Sequence, residues 1–128
     1  MVPITKAVVV LIEDDPSVLR SLRRLISAAG FEVRAFDRPS ALLESELPKS
    51  NACLVVDVHL PEMNGVELCG ALAASGRLLP VILITGHIDD GTRELTKRAN
   101  PVAVLSKPFG RELLLNSIAK ALSAGRPD

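Results

Sequence analysis

Tryptophan and tyrosine are absent from this 128-residue sequence, and only three phenylalanines occur. Stacking platforms for nucleobases, flavins or sugars are therefore scarce, and aliphatic side chains have to build the core. Net charge is missing as well, since fifteen basic residues balance fifteen acidic ones. No global positive field exists to hold a polyanion by counterion release, so direct nucleic-acid binding by this domain is not expected. No apolar stretch reaches the roughly 18 residues that a membrane-spanning helix needs. The apolar opening is interrupted by Pro3 and Lys6 and runs straight into Glu13, Asp14 and Asp15, unlike a signal peptide. The two cysteines, Cys53 and Cys69, sit in separate apolar stretches without a CxxC pattern. That usage predicts reduced, packed thiols in a cytoplasmic protein.

What is present suffices for one core: the length is that of a single domain, and 48% of the residues are hydrophobic. Short apolar runs alternate with longer amphipathic stretches, which predicts a parallel sheet covered by helices. Residues 7–12 are rich in Val and Ile without polar alternation, as a strand buried on both faces should be. A helix then starts at Asp15, a good N-cap, with Pro16 in the first turn where no amide donor is required. Val18, Leu22, Leu25 and Ala29 are expected on its inner face, Arg20 and Arg24 on its outer face, and Gly30 as its stop. Further strands are predicted over 31–36, 52–56, 81–85 and 102–105. Helices are predicted over 39–47, 66–74, 89–98 and 110–123, the one over 89–98 being weak because Gly91 interrupts it and Leu95 is its one large apolar anchor.

The chemistry lies at the strand ends. The first predicted strand finishes in Glu13 and Asp14, the third in Asp57, the fourth in Thr85, and the fifth in Ser106 and Lys107. In an open parallel sheet these ends share one rim, where ligands collect. Two carboxylates about 5 Å apart repel by roughly 3 kcal/mol at an effective dielectric near 20. Three acids on one rim therefore either take up protons or are neutralised by cations. A hard divalent ion, Mg²⁺ above all, suits oxygen ligands of this kind, with Lys107 as a second, fixed positive charge.

Glu13 with Asp14, the lone Asp57, Thr85, and Lys107 followed by Pro108 together resemble the five-part pattern of response-regulator receiver domains of two-component systems. The loop from Asp57 through Pro61 to Gly65 is similar to that family's Asp-x-x-x-Pro-x-x-x-Gly segment. Ile84, Thr85, Gly86 and His87, with Lys107, Pro108 and Phe109, resemble the subgroup that regulates nitrogen-fixation transcription. The resemblance covers residues 6–123. It implies one receiver domain over 1–128, with 124–128 a tail or truncated linker.

The fold it implies is flavodoxin-like: a doubly wound α/β domain whose five parallel strands run in the order 2-1-3-4-5, with five helices. The implied function is phosphoacceptance in a phosphorelay. Asp57 would take a phosphoryl group from a histidine kinase or phosphotransfer protein, with Mg²⁺ held by Asp14 and Asp57 directly, Glu13 through water, and the backbone carbonyl of His59. Thr85 and Lys107 would bind phosphoryl oxygens, and Pro108 would follow a cis peptide. Catalysis would be limited to the domain's own phosphorylation and dephosphorylation. Docking is expected on the first helix around Leu19 and Arg20. Output would pass to an effector domain or a homodimer through the face made by the fourth helix, fifth strand and fifth helix.

Departures from the pattern bear on that output. Family members usually carry Tyr or Phe three residues before the site lysine, and here the position is Val104, too short and stiff for a ring swing. Asn100 and Pro101 replace the family's frequent Gly-Ala. Two other classes stay open: a receiver-fold binding module that is not phosphorylated or a phosphate sink, and a flavodoxin-like electron carrier. Retention of every acceptor-site group opposes the first, and the lack of a Gly/Ser/Thr phosphate loop after the first strand opposes the second. His59 and His87 have no third imidazole or cysteine in a ligand-like pattern, so they read as loop side chains that modulate access. Met63 reads as packing.

Overall fold

The computed structural model of the protein describes residues 6–86 and 89–124. His87, the apolar opening before Lys6 and residues 125–128 of the expected tail lie outside the described residues.

Ten elements alternate along the chain: β1 (Val8–Ile12), α1 (Pro16–Ala28), β2 (Glu32–Phe36), α2 (Pro39–Leu43), β3 (Ala52–Asp57), α3 (Gly65–Ala74), β4 (Val81–Thr85), α4 (Asp90–Lys97), β5 (Ala103–Ser106) and α5 (Arg111–Ala124). All strand pairings are parallel and the order is β2-β1-β3-β4-β5, as expected. The strands alternate between two cores because successive side chains point to opposite faces. Val8, Val10 and Ile12 join Leu54, Val56 and Leu83 under α2 and α3, whose Leu42, Leu68 and Leu72 complete that side. Val9 and Leu11 join Val55, Ile82 and Ile84 against Leu22 and Ile26 of α1 and Leu114 and Ile118 of α5. Covering both faces explains why β1, β3 and β4 are buried along their whole length and apolar up to the terminal Asp57 of β3 and Thr85 of β4.

Caps set the helix boundaries. Asp15 accepts from the Ser17 and Val18 amides at 2.9 and 3.2 Å, and Gly30 leaves α1 with φ at +101°, both as expected. On the inner face of α1, Val18, Leu22 and Leu25 pack on the core as expected and Ile26 joins them fully buried, whereas Ala29 is exposed. Ala29 is the C-cap, one residue past the helix end, so it falls outside the packed stripe. α2 stops at Leu43 and not at residue 47. Ser45 folds back on the Leu42 carbonyl through its amide and its hydroxyl, and the Arg77 guanidinium takes the Leu43 and Ser45 carbonyls at 2.9 and 3.2 Å. These bonds satisfy the carbonyls at the helix end without a further turn. α3 starts from a reciprocal capping box formed by Asn64 and Glu67. α4 is held by buried Thr92 and Thr96, with Leu95 only partly buried. Asn100 adopts φ of +48°, so it supplies the left-handed residue for which Asn is better suited than most.

Both thiols are free and buried, and burial pushes Cys53 up to about 12 and Cys69 up to about 11. They are inert packing groups. Among the described residues no helix is long and apolar enough to cross a membrane.

Candidate functional site

Four strand ends meet at the carboxyl edge of the sheet. Glu13 and Asp14 follow β1, Asp57 ends β3, Thr85 ends β4 and Lys107 follows β5. The chain turns away directly after Asp14 because Asp15 is committed to capping α1, which leaves the acidic pair at the rim. Backbone bonds fix the other members. The Val58 amide donates to the Ile84 carbonyl at 2.9 Å and the Lys107 amide to the Thr85 carbonyl at 2.8 Å, so sheet pairing continues past the strand ends into the site. The Lys107–Pro108 peptide is cis, as expected.

The loop after Asp57 closes where the Gly65 amide donates to the Val58 carbonyl at 2.8 Å. A Cβ on Gly65 would overlap the Asp57 carbonyl oxygen and lie 2.9 Å from Val56 Cγ1. Backbone cannot yield as a flexible side chain can, so Gly65→Ala is expected to lower stability by about 1–3 kcal/mol. In a thermal melt that is a drop of roughly 4–10 °C. An unchanged melt would show that the loop can relax.

Side chains converge tightly inside this frame. Lys107 Nζ donates to Glu13 Oε2 at 3.1 Å and to Asp57 Oδ2 at 3.0 Å. The His59 amide donates to Asp57 Oδ1 at 2.9 Å, and the Asp15 amide donates to Glu13 Oε1 at 3.3 Å. One carboxylate oxygen from each of Glu13, Asp14 and Asp57 lies within 4.8 Å of the others. Glu13 and Asp57 are only 1% and 4% exposed, whereas Asp14 is open to solvent. A buried acid pair therefore forms the floor of the site and a wet carboxylate its mouth. Thr85 is fully buried one residue beyond Ile84, the strand partner of Asp57. His59 is an exposed loop residue, and Met63 packs against the core, both as read from the sequence.

Charge is not balanced in this floor. Burial, then the hydrogen bond and field of Asp57, push Glu13 up to about 7, against the opposing pull of Lys107. Partial burial works against the Lys107 ammonium, but the bonds and charges of Asp57 and Glu13 outweigh it and raise Lys107 above its ordinary value. One ammonium thus fails to neutralise two buried carboxylates with a third beside them. Three carboxylate oxygens within 4.8 Å form the donor set that a hard divalent cation prefers.

Residues 9–119 match the response regulator receiver domain family. The chain belongs to that family. The receiver is 38% identical over 122 residues to nodulation protein W of Bradyrhizobium diazoefficiens, an alignment that covers 95% of this chain and 54% of that protein. Among solved structures, the response regulator StyR superposes with a TM-score of 0.85 at 37% identity, covering 94% of this chain and 61% of that one. FixJ-N superposes with a TM-score of 0.84 at 27% identity, covering 98% of this chain and all of that one. The receiver thus spans about half the length of the curated relative it matches. It is a phosphoacceptor signalling domain of two-component systems, consistent with receivers of the nitrogen-fixation type.

Sequence reasoning brought together the acids and Lys107 correctly, but it passed over Glu62. This loop residue has φ of +69° and reaches Ser40, 22 positions earlier. No local pattern announces such a contact.

Proposed function

We propose that Asp57 is the phosphoacceptor of this receiver. The observation that carries the reading is the meeting of Glu13, Asp57 and Lys107 at 3.0–3.1 Å, from three separate strand ends, beside Asp14. Asp14, Asp57 and the His59 carbonyl would hold Mg²⁺ directly and Glu13 through water. When bound, the ion neutralises the carboxylates and the phosphoryl oxygens as charge shifts between donor and acceptor.

Asp57 attacks phosphorus with a carboxylate oxygen. The new O–P bond forms as the bond to the donor breaks, and the donor imidazole of a histidine kinase or phosphotransfer protein leaves with its electron pair. Lys107, already seated on Asp57, keeps an ammonium at the phosphoryl oxygens. The Thr85 hydroxyl binds another of those oxygens. Hydrolysis of the resulting acyl phosphate is the domain's own second reaction, so it is catalytic only toward itself.

The reading places one domain over 1–128, with its core over 6–123, in the cytoplasm. Receivers of this family work with histidine kinases and with effector domains. Here the kinase side would dock on α1, where Arg20, Arg23 and Arg24 form an exposed basic face. Output would pass through the α4-β5-α5 face to an effector domain or a second receiver, without direct nucleic-acid or membrane contact by this domain. The test is transfer of labelled phosphate from acetyl phosphate or a phosphorylated kinase. Mg²⁺-dependent label on the native protein is expected. Its absence would leave the domain as a scaffold with an unused acceptor site.

Val104 bears on the output step. It is 37% exposed and, with Thr92, Arg93, Thr96 and Lys97 of α4, lines a cavity of about 550 Å³. A phenyl ring has room there that valine leaves empty. Val104→Phe is expected to change phosphorylation-dependent partner binding while the extent of labelling stays as in the native protein. Binding that is unaltered in a pull-down of phosphorylated protein would separate this position from the output.

A further inference from the structure

The loop that carries the acceptor is tied to a helix on the other side of the site. Ser40 donates from its amide to Glu62 Oε1 at 2.9 Å and from its hydroxyl to Glu62 Oε2 at 3.0 Å. Ser40 lies in the first turn of α2, whose own N-cap, Arg38, offers no side-chain bond. Both oxygens of Glu62 are thus spent on donors that the helix sequence leaves without a local acceptor.

The backbone at Glu62 shows what this tie holds. Its φ is +69°, and the Met63 amide donates to the Pro61 carbonyl at 2.7 Å across it. A bond from residue to second neighbour around a positive φ is a γ-turn of the rarer, strained hand. Strain of this kind persists where the surroundings enforce it. The turn stands between Pro61 and Asn64, and the same short loop presents the His59 amide to Asp57 Oδ1. Glu62 and Pro61, with Asp14, Asp37 and Arg38, also line a cleft of about 360 Å³ at the mouth of the acidic cluster.

We propose that Glu62 is a positioning residue of the acceptor site. Its carboxylate caps α2 from the neighbouring loop and so locks the γ-turn that sets the His59 backbone against Asp57. The metal-binding part of this inference rests on the reading of the site given under Proposed function. The local part, the ordering of His59 by Glu62, stands without any ion.

The experiment compares native protein, Glu62→Gly, Glu62→Gln, Ser40→Ala and the Glu62→Gly/Ser40→Ala pair. It measures amide hydrogen exchange at His59 in metal-free protein, Mg²⁺ affinity by calorimetric titration, and melting. Glycine adopts positive φ without strain, so Glu62→Gly is expected to melt close to the native protein. His59 exchange should nevertheless accelerate, and the dissociation constant for Mg²⁺ should rise about tenfold, as when a group that holds a ligand in place is lost. Glu62→Gln keeps one acceptor oxygen and should fall between. Ser40→Ala should show a smaller rise and add little to Glu62→Gly, because both substitutions break one tie.

Native His59 exchange and native Mg²⁺ affinity in Glu62→Gly would overturn the proposal. Should that variant fail to fold, Ser40→Ala decides by the same two measurements. If native protein binds no Mg²⁺ at all, the acceptor-site reading falls. His59 exchange still decides whether Glu62 positions the loop.

Discussion

Asp57→Asn is expected to abolish Mg²⁺-dependent labelling while making the metal-free protein more stable. The amide nitrogen is no nucleophile toward phosphorus, and the amide oxygen carries too little charge to replace a carboxylate. The side chain keeps its shape, and its oxygen still accepts a bond from His59 or Lys107 in the frame that now holds Asp57. What disappears is the negative charge beside Glu13. Burial and Asp57 together raise Glu13 to about 7, so removing Asp57 leaves one buried carboxylate facing one ammonium. The gain is on the order of 1 kcal/mol near pH 8, because only the Asp57 share of the shift is recovered. Autoradiography of the labelled protein and urea melts without metal check the two halves. Label retained by the variant would move the acceptor elsewhere, and a loss of stability would mean that Asp57 is not crowded by its neighbour.

Mg²⁺ affinity is expected to climb roughly 50-fold between about pH 5 and pH 7 and to flatten above, because the ion has to displace a proton from the acid pair. The group responsible is Glu13, held near 7 against an ordinary 4.5. A carboxyl whose folded value is raised contributes stability that is fully present below its unfolded value and is lost as pH rises through its folded value. Metal-free protein should therefore lose up to about 3 kcal/mol between roughly pH 4.5 and 7. Mg²⁺ should restore that loss at the upper end. Calorimetric titrations and melts at a series of pH values read both effects, and Glu13→Gln should flatten the two profiles together. Affinity that is level from pH 5 to 7 would mean that Glu13 is ionised without any ion present.

Burial makes one part of this architecture legible and conceals another. Strands β1, β3 and β4 are apolar up to the terminal Asp57 of β3 and Thr85 of β4 because helices cover both faces of the sheet, so their places were readable to within a residue. Asp15 with Pro16 and Gly30 fix α1 through rules that act within a few residues. The rim chemistry was legible for the same reason, since a polar residue that ends a wholly apolar run announces itself. The C-terminal end of α2 was not. It depends on Arg77, which reaches carbonyls 32 and 34 positions away. That Ile26 joins Val18, Leu22 and Leu25 under the sheet while Ala29 faces solvent likewise depends on where α1 ends against its neighbours.

By itself the sequence determined which residues are apolar, where the chain turns, and which acids, hydroxyl and ammonium stand at strand ends, because each of these follows from short-range pattern. Only the tertiary structure decided that Lys107 spans both Glu13 and Asp57, that those two acids are crowded enough to raise Glu13, and that Glu62 is spent on Ser40. Distances between residues remote in the chain are set by packing of the whole sheet, and both pKa and hydrogen bonding depend on those distances far more steeply than on residue type.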